Sequence, residues 1–165
     1  MNIVAIIPAR AGSKRLKKKN KLKINNKPLI EWTIKFAKKL KFLSAILVST
    51  DDLIIRKIAK KNNVHCEGLR PKKLSNDKSK TVDVCIFEVN KLINKGINVD
   101  AILLLQPTSP FRLVKNINTA IKIFKKKKLK SLLSVTKMEF NEKSILERIK
   151  EKKHAYFFSK KKNLY

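Results

Sequence analysis

Acidic residues are scarce in this chain. Only 12 Asp and Glu stand against 41 Lys and Arg in 165 residues, a formal net charge of +29. Glycine (3) and proline (5) are also few, which excludes collagen-like and linker-like chains. Two cysteines, Cys66 and Cys85, make neither a disulfide framework nor a zinc site. Long apolar runs are missing: stretches such as Ile3 to Ile7 are far shorter than the roughly 20 residues of a membrane-spanning helix. The N-terminus has no basic leader and no signal-peptide core of adequate length, so no membrane partner and a cytoplasmic location are expected. Aromatics are thin among the lysine runs Lys17-Lys19, Lys125-Lys128 and Lys160-Lys162, whereas single-strand binders interleave stacking rings with their cations.

What remains is a chain with 43% hydrophobic residues, ample for one packed domain. The positive charge is chiefly lysine, which together with abundant Asn and Ile is what AT-rich codons produce. A solvated lysine surface therefore accounts for it better than a nucleic-acid role. The six arginines, Arg10, Arg15, Arg56, Arg70, Arg112 and Arg148, are more informative. Among so many lysines, an arginine marks a position that needs the planar two-pronged donor.

Hydrophobic periodicity gives alternating strands and helices. Ile3 to Ile7 and Ala101 to Leu105 read as strands buried on both faces, with Ala45 to Val48 as another. A short strand containing Val64 and a last one at Ser131 to Val135 complete the set. Pro28 opens a helix whose inward face is Leu29, Trp32, Phe36 and Leu40. The Ser49-Thr50-Asp51-Asp52 run caps a second helix carrying Ile54, Ile55, Ile58 and Ala59. A third helix from Thr81 uses Val82, Cys85, Ile86, Val89 and Ile93, and a fourth, Leu113 to Phe124, turns Val114, Ile117, Ile121 and Phe124 inward. Such alternation implies an α/β fold with a parallel sheet covered on both sides. Ligands of such sheets bind outside the carboxyl ends of the strands, where the polar segments after Ile7, Val48 and Leu105 gather.

The first of these segments, Pro8-Ala9-Arg10-Ala11-Gly12-Ser13-Lys14-Arg15-Leu16, continuing to Lys19-Asn20, suits a polyphosphate. Gly12 lets the backbone approach, N–H groups and Ser13 donate, and Arg10, Lys14 and Lys19 neutralise charge. Neither the Walker spacing nor a dinucleotide glycine fingerprint is present. On this ground alone a solvated basic loop is an equal alternative.

Four segments in order, "IIPARAGSKRLKKKN", "VSTDD", "LRPKKLSND" and "LLQPTSPFR", resemble the acylneuraminate cytidylyltransferases, which activate nonulosonic acids with CTP and release pyrophosphate. The resemblance covers residues 1 to about 135. It implies a three-layer, Rossmann-like nucleotide-diphospho-sugar transferase fold with a mostly parallel sheet. Residues 1–135 would form the CTP-binding core, and 136–165 the start of an incomplete dimerisation and substrate arm. By position, Arg10, Gly12, Ser13, Lys14, Lys19 and Asn20 would hold the triphosphate and ribose, with Arg10, Lys14 and Lys19 supporting charge on the leaving phosphates. Arg70 would donate to the cytosine carbonyl edge, and Asp77 and Thr81 would shape the base pocket. Gln106 would contact the sugar acid beside Pro107, Thr108 and Ser109, while Arg112 would orient that loop or meet the acid's carboxylate. A loop salt bridge for Arg70 and Arg112, and a helix cap for Asp77, are the local alternatives.

The resemblance also implies Mg²⁺ and a homodimer. The family's metal-binding Asp-x-Asp pair does not occur in this sequence, which leaves Asp51 as a weak candidate that serves equally well as a helix cap. From this we expect weak CTP binding and slow or no turnover by the 165-residue chain, and self-association through Tyr156-Phe157-Phe158. A basic polyanion-binding protein and an inactive fragment are the alternatives. His65 and His154 lack metal-ligand spacing, Cys66 reads as a loop residue, and Cys85 as a small core group.

Overall fold

The computed structural model describes residues 1–13 and 16–135. Two compact units divide the chain, Met1–Lys128 and Leu129–Tyr165, and all the regular elements described lie in the first. Along the chain they are β1 (Ile3–Pro8), β2 (Lys23–Ile24), β3 (Lys27–Pro28), α1 (Leu29–Lys38), β4 (Leu43–Ser49), α2 (Leu53–Lys61), α3 (Thr81–Ile93), β5 (Ala101–Leu104) and α4 (Val114–Lys126).

An apolar residue at every position from Ile3 to Ile7 lets that segment be buried on both faces, and β1 is the middle strand of a parallel sheet ordered β4–β1–β5. Ile6 stands opposite Leu47 on one side and Leu104 on the other. Alternation along the strands splits the core. Ala5 and Ile7 pack with Ile30, Ile34 and Ala37 of α1, Ile55 and Ala59 of α2, and, at the margin, Val114 and Ile117 of α4. Val4, Ile6 and Leu47 pack on the opposite face with Cys85 and Leu92 of α3. Three layers result, as an α/β fold of this kind requires.

Several sequence expectations are corrected. Ser131 to Val135 forms no strand: Leu133 and Val135 are 87% and 71% exposed, and no strand among the described residues pairs with the segment. Val64 belongs to no strand, and its neighbour His65 makes only a single parallel bridge to Leu47. Pro28 is the N-cap of α1 rather than its first residue, because its extended ψ of 142° still belongs to the β2–β3 hairpin. That hairpin turns through Asn25 and Asn26 at φ of +49° and +60°, the left-handed pair that a tight two-residue connection requires.

The buried face of α1 is Leu29, Ile30, Thr33, Ile34, Phe36 and Ala37. Trp32 sits at its margin, with Nε1 donating to the Ile24 carbonyl at 3.0 Å. On α3 the helical period is right and the face is right in part: Cys85 is buried and Val89 packs against the core, as expected. Val82, Ile86 and Ile93 are exposed, while Val84, Cys85, Glu88 and Leu92 face the sheet. A second stripe at the same spacing contains an acid, and burial of Glu88 is possible because Ser49 Oγ donates to it at 2.7 Å and Lys91 pairs with it at 3.2 Å. Cys66 lies in a loop, as expected, and is also buried in the core. Burial, reinforced by Glu88, pushes the Cys66 and Cys85 thiols above their ordinary pKa, so both remain protonated core groups.

Candidate functional site

Parallel strands put Pro8, Ser49 and Leu104 at one edge of the sheet, and the loops that follow enclose a cleft of about 290 Å³. The phosphate-loop residues Arg10, Gly12 and Ser13 line it, as do Lys19 and Asn20 from the 3-10 turn Lys19–Lys21. Arg70, Asp77 and Thr81 line it from the segment leading into α3, and Gln106 and Thr108 from the loop after β5. Residues separated by about a hundred positions in sequence therefore share one cavity, as the carboxyl-edge rule anticipates. Lys14 lies outside the described residues. Ser109 and Arg112 do not line the cleft.

The end of β4 holds these pieces in place. Thr50, 1% exposed, donates its hydroxyl to the Ala9 carbonyl at 2.6 Å and accepts the Arg70 backbone N–H on its own carbonyl at 2.7 Å. Asp51 Oδ1 accepts the Ala11 N–H at 2.7 Å and lies 3.8 Å from Arg70 Nη2. Asn20, itself buried, donates from Nδ2 to the Arg10 carbonyl at 3.1 Å.

Asp52, not Asp51, is the helix cap. It accepts from the Ile54 and Ile55 N–H groups and pairs with Lys21 at 2.5 Å, tying the 3-10 turn to α2. Burial works to raise the Asp52 pKa, yet the Lys21 ammonium and the two N–H donors outweigh it and hold the carboxyl below its ordinary value of 3.8. A depressed folded pKa gives stability that is present above the unfolded value and lost as pH falls through the folded one. Asp52→Ala is therefore expected to cost about 0.5–2 kcal/mol at neutral pH in urea unfolding. The gap between variant and wild type should narrow below the ordinary carboxyl value of 3.8.

Arg70 is the most buried cation of the cleft, at 5% exposure. Burial lowers its pKa, while Asp51 and Glu88 act to raise it; Arg10 opposes them. Its Nε donates to Ser75 Oγ at 3.3 Å, which fixes the plane of the guanidinium. Arg10, by contrast, is half-exposed, and its Nη2 meets Asp77 Oδ1 at 2.7 Å. Asp77 is thus engaged with the cationic loop after β1, and is not the cap of α3, whose N-cap residue is Lys80.

Arg112 orients the loop after β5: its Nη2 donates to the Gln106 carbonyl at 2.6 Å, and burial lowers its pKa. The residues that sequence reasoning did not assign are Pro8, Leu74, Asn76, Ser79 and Val84, which also line the cleft. Leu74 and Val84 are its apolar walls, and only the fold brings them to a polar loop. Among the described residues no three His, Cys, Asp or Glu side chains converge, so they do not by themselves make a site for the Mg²⁺ that the resemblance implies. The candidate Asp51 has its carboxylate turned to Ala11 and Arg70.

A cationic loop, a buried arginine and two apolar walls in one cleft suit a ligand with a polyphosphate at one end and a flat base at the other. Comparison with known proteins agrees. A cytidylyltransferase family model matches residues 4–163. The chain belongs to the cytidylyltransferase family. It is 41% identical over 125 residues to the CMP-N,N'-diacetyllegionaminic acid synthase of Legionella pneumophila, covering 76% of this chain and 54% of that protein. The N-acylneuraminate cytidylyltransferase of Escherichia coli is 35% identical over 136 residues, covering 82% of this chain and 31% of that protein. A pseudaminic acid cytidylyltransferase of Campylobacter jejuni is 29% identical over 140 residues, with 85% and 60% covered. Among solved structures, a CMP:2-keto-3-deoxy-manno-octonic acid synthetase complexed with CTP superposes with a TM-score of 0.65 at 23% identity. The match covers 78% of this chain and 49% of that one and shows the shared fold. The chain thus spans between 31% and 60% of the length of these relatives.

Proposed function

We propose that this chain binds CTP and forms the nucleotide-binding part of a cytidylyltransferase that activates a nonulosonic acid of the sialic, legionaminic or pseudaminic type. The observation that carries the reading is the joining of Arg10, Ser13 and Lys19 with the buried Arg70 in one cleft. The names of the relatives support the substrate class. In this reading the triphosphate lies on the loop after β1. Arg70 donates to the cytosine carbonyl edge, with Leu74 and Val84 against the ring and Asp77 and Thr81 completing the pocket. Gln106 and Thr108, on a loop braced by Arg112, receive the sugar acid, with Ser109 shaping that loop.

The acid's anomeric hydroxyl oxygen attacks the α-phosphorus in line and gives its proton to solvent, the α–β phosphoanhydride bond breaks, and pyrophosphate leaves with the electron pair. Arg10, Lys14 and Lys19 stabilise the charge that grows on the leaving phosphates. Incubation with CTP, Mg²⁺ and each acid in turn tests the reaction. CMP-sugar and pyrophosphate should form in equal amounts, but only slowly, with at least one acid. No product with any of them would limit the reading to nucleotide binding.

We also propose a homodimer. The edge strand β5 leaves Ile102 and Leu104 41% and 40% exposed, and α3 leaves Val82, Ile86 and Ile93 more than half exposed. Apolar faces of this kind favour association. Sedimentation velocity should show a species of twice the chain mass that dissociates on dilution; a monomer at all concentrations would contradict it. Tyr156, Phe157 and Phe158 lie outside the described residues. Among the described residues no helix is long and apolar enough to cross a membrane. A cytoplasmic location fits the proposed use of CTP.

A further inference from the structure

We propose that Asp51 is a positioning residue that couples the phosphate loop to Arg70, so that one carboxylate sets the spacing between the polyphosphate and base ends of the cleft. The inference rests on the CTP-binding reading above. Asp51 does not line the cleft, yet its Oδ1 takes the Ala11 N–H at 2.7 Å and its carboxylate lies 3.8 Å from Arg70 Nη2. Ala11 and Arg70 come from loops on either side of β4, and Asp51 follows that strand directly.

Thr50 adds the parallel backbone link, holding the Ala9 carbonyl by its hydroxyl and the Arg70 N–H by its carbonyl. Hydrogen bonds of this kind fix where the two loops run. They do not fix where the Arg70 guanidinium lies, and that is the contribution of the Asp51 charge. A buried guanidinium near a second cation needs a counter-charge, and Arg10 acts on Arg70 in the repulsive sense while Asp51 and, after it, Glu88 act against it. With Arg10 itself paired to Asp77, Asp51 helps two cations serve one cleft. The carboxylate is used within the protein, which accounts for an acid at this edge without a metal.

The two roles separate by substitution. Asp51→Asn keeps an oxygen for the Ala11 N–H and removes the charge beside Arg70, whereas Asp51→Ala removes both. Titration calorimetry with CTP and with inorganic tripolyphosphate reads the base and phosphate ends apart. For Asp51→Asn, CTP affinity should fall by about tenfold and tripolyphosphate affinity by less than about twofold, within the usual range of site-to-site coupling. Asp51→Ala should weaken both ligands. In an Arg70→Ala background, Asp51→Asn should cause no further loss of CTP affinity, since the partner it acts through is gone.

Asp51→Glu, which keeps the charge, should recover part of the CTP affinity lost in Asp51→Asn, a rescue that general destabilisation would not show. Wild-type CTP affinity in Asp51→Asn, or equal losses for CTP and tripolyphosphate, would overturn the proposal while leaving CTP binding intact. A wild-type chain that binds tripolyphosphate but not CTP would overturn the CTP reading and this proposal together.

Discussion

Arg70→Ala is expected to lower CTP affinity by about ten- to a hundredfold, the equivalent of losing one hydrogen bond from a charged group. The side chain is nearly all buried, and Asp51 and Ser75 fix its position, so the guanidinium is ordered before a ligand arrives. A preordered donor loses little entropy on binding, which is why its removal weighs more than that of a solvated lysine. Arg70→Lys should recover little of the loss, because an ammonium has neither the planar fork nor the reach to keep Ser75 and the base edge together. Calorimetric titration of CTP against both variants checks this, with circular dichroism to confirm that they fold. Binding of tripolyphosphate should fall much less than binding of CTP.

The second large effect concerns the scaffold. Ile7 is fully buried at the end of the central strand, directly before Pro8 of the cleft wall, and packs in the larger core cluster with residues of α1 and α2. Ile7→Ala should cost about 2–5 kcal/mol in urea unfolding, and Ile7→Val about 0.5–1.5 kcal/mol, from lost transfer energy and the cavity left behind. Against a total stability of roughly 5–15 kcal/mol, the alanine variant should be near its unfolding midpoint at modest denaturant. Equal small losses for both variants would mean that the core closes over the space, contrary to the tight packing described.

Much of this architecture is legible in the sequence because burial leaves a simple trace. The runs at Ile3 to Ile7 and Ala101 to Leu105 mark strands, and the polar segments after them mark the site edge, since a parallel sheet puts those ends together. Ten residues assigned from the four motifs do line one cleft, Arg10, Gly12, Ser13, Lys19, Asn20, Arg70, Asp77, Gln106, Pro107 and Thr108, and Thr81 joins them from beyond the motifs.

The misses have physical causes too. On α3 hydrophobicity selects Cys85 and Val89, which do meet the core, together with Val82, Ile86 and Ile93, which do not. The fold buries the stripe containing Glu88, because Ser49 and Lys91 satisfy that acid from other parts of the structure. Asp51 and Asp52 are adjacent acids with the same capping potential, and only backbone geometry assigns the cap to Asp52 and leaves Asp51 to Ala11 and Arg70. Leu74 and Val84 carry no local signal for a ligand, since an apolar wall looks like any core residue until a loop folds over it.

Selective nucleotide binding is the central claim, and one titration tests it most directly. CTP, ATP and a random duplex DNA are titrated separately into the 165-residue chain at low and at physiological salt. The expected result is saturable one-site binding of CTP, tighter than ATP at both salt concentrations, with the preference abolished by Arg70→Ala. Binding of all three ligands without preference, falling steeply together as salt rises, would mean that the +29 charge is acting as a general polyanion surface and would contradict the account.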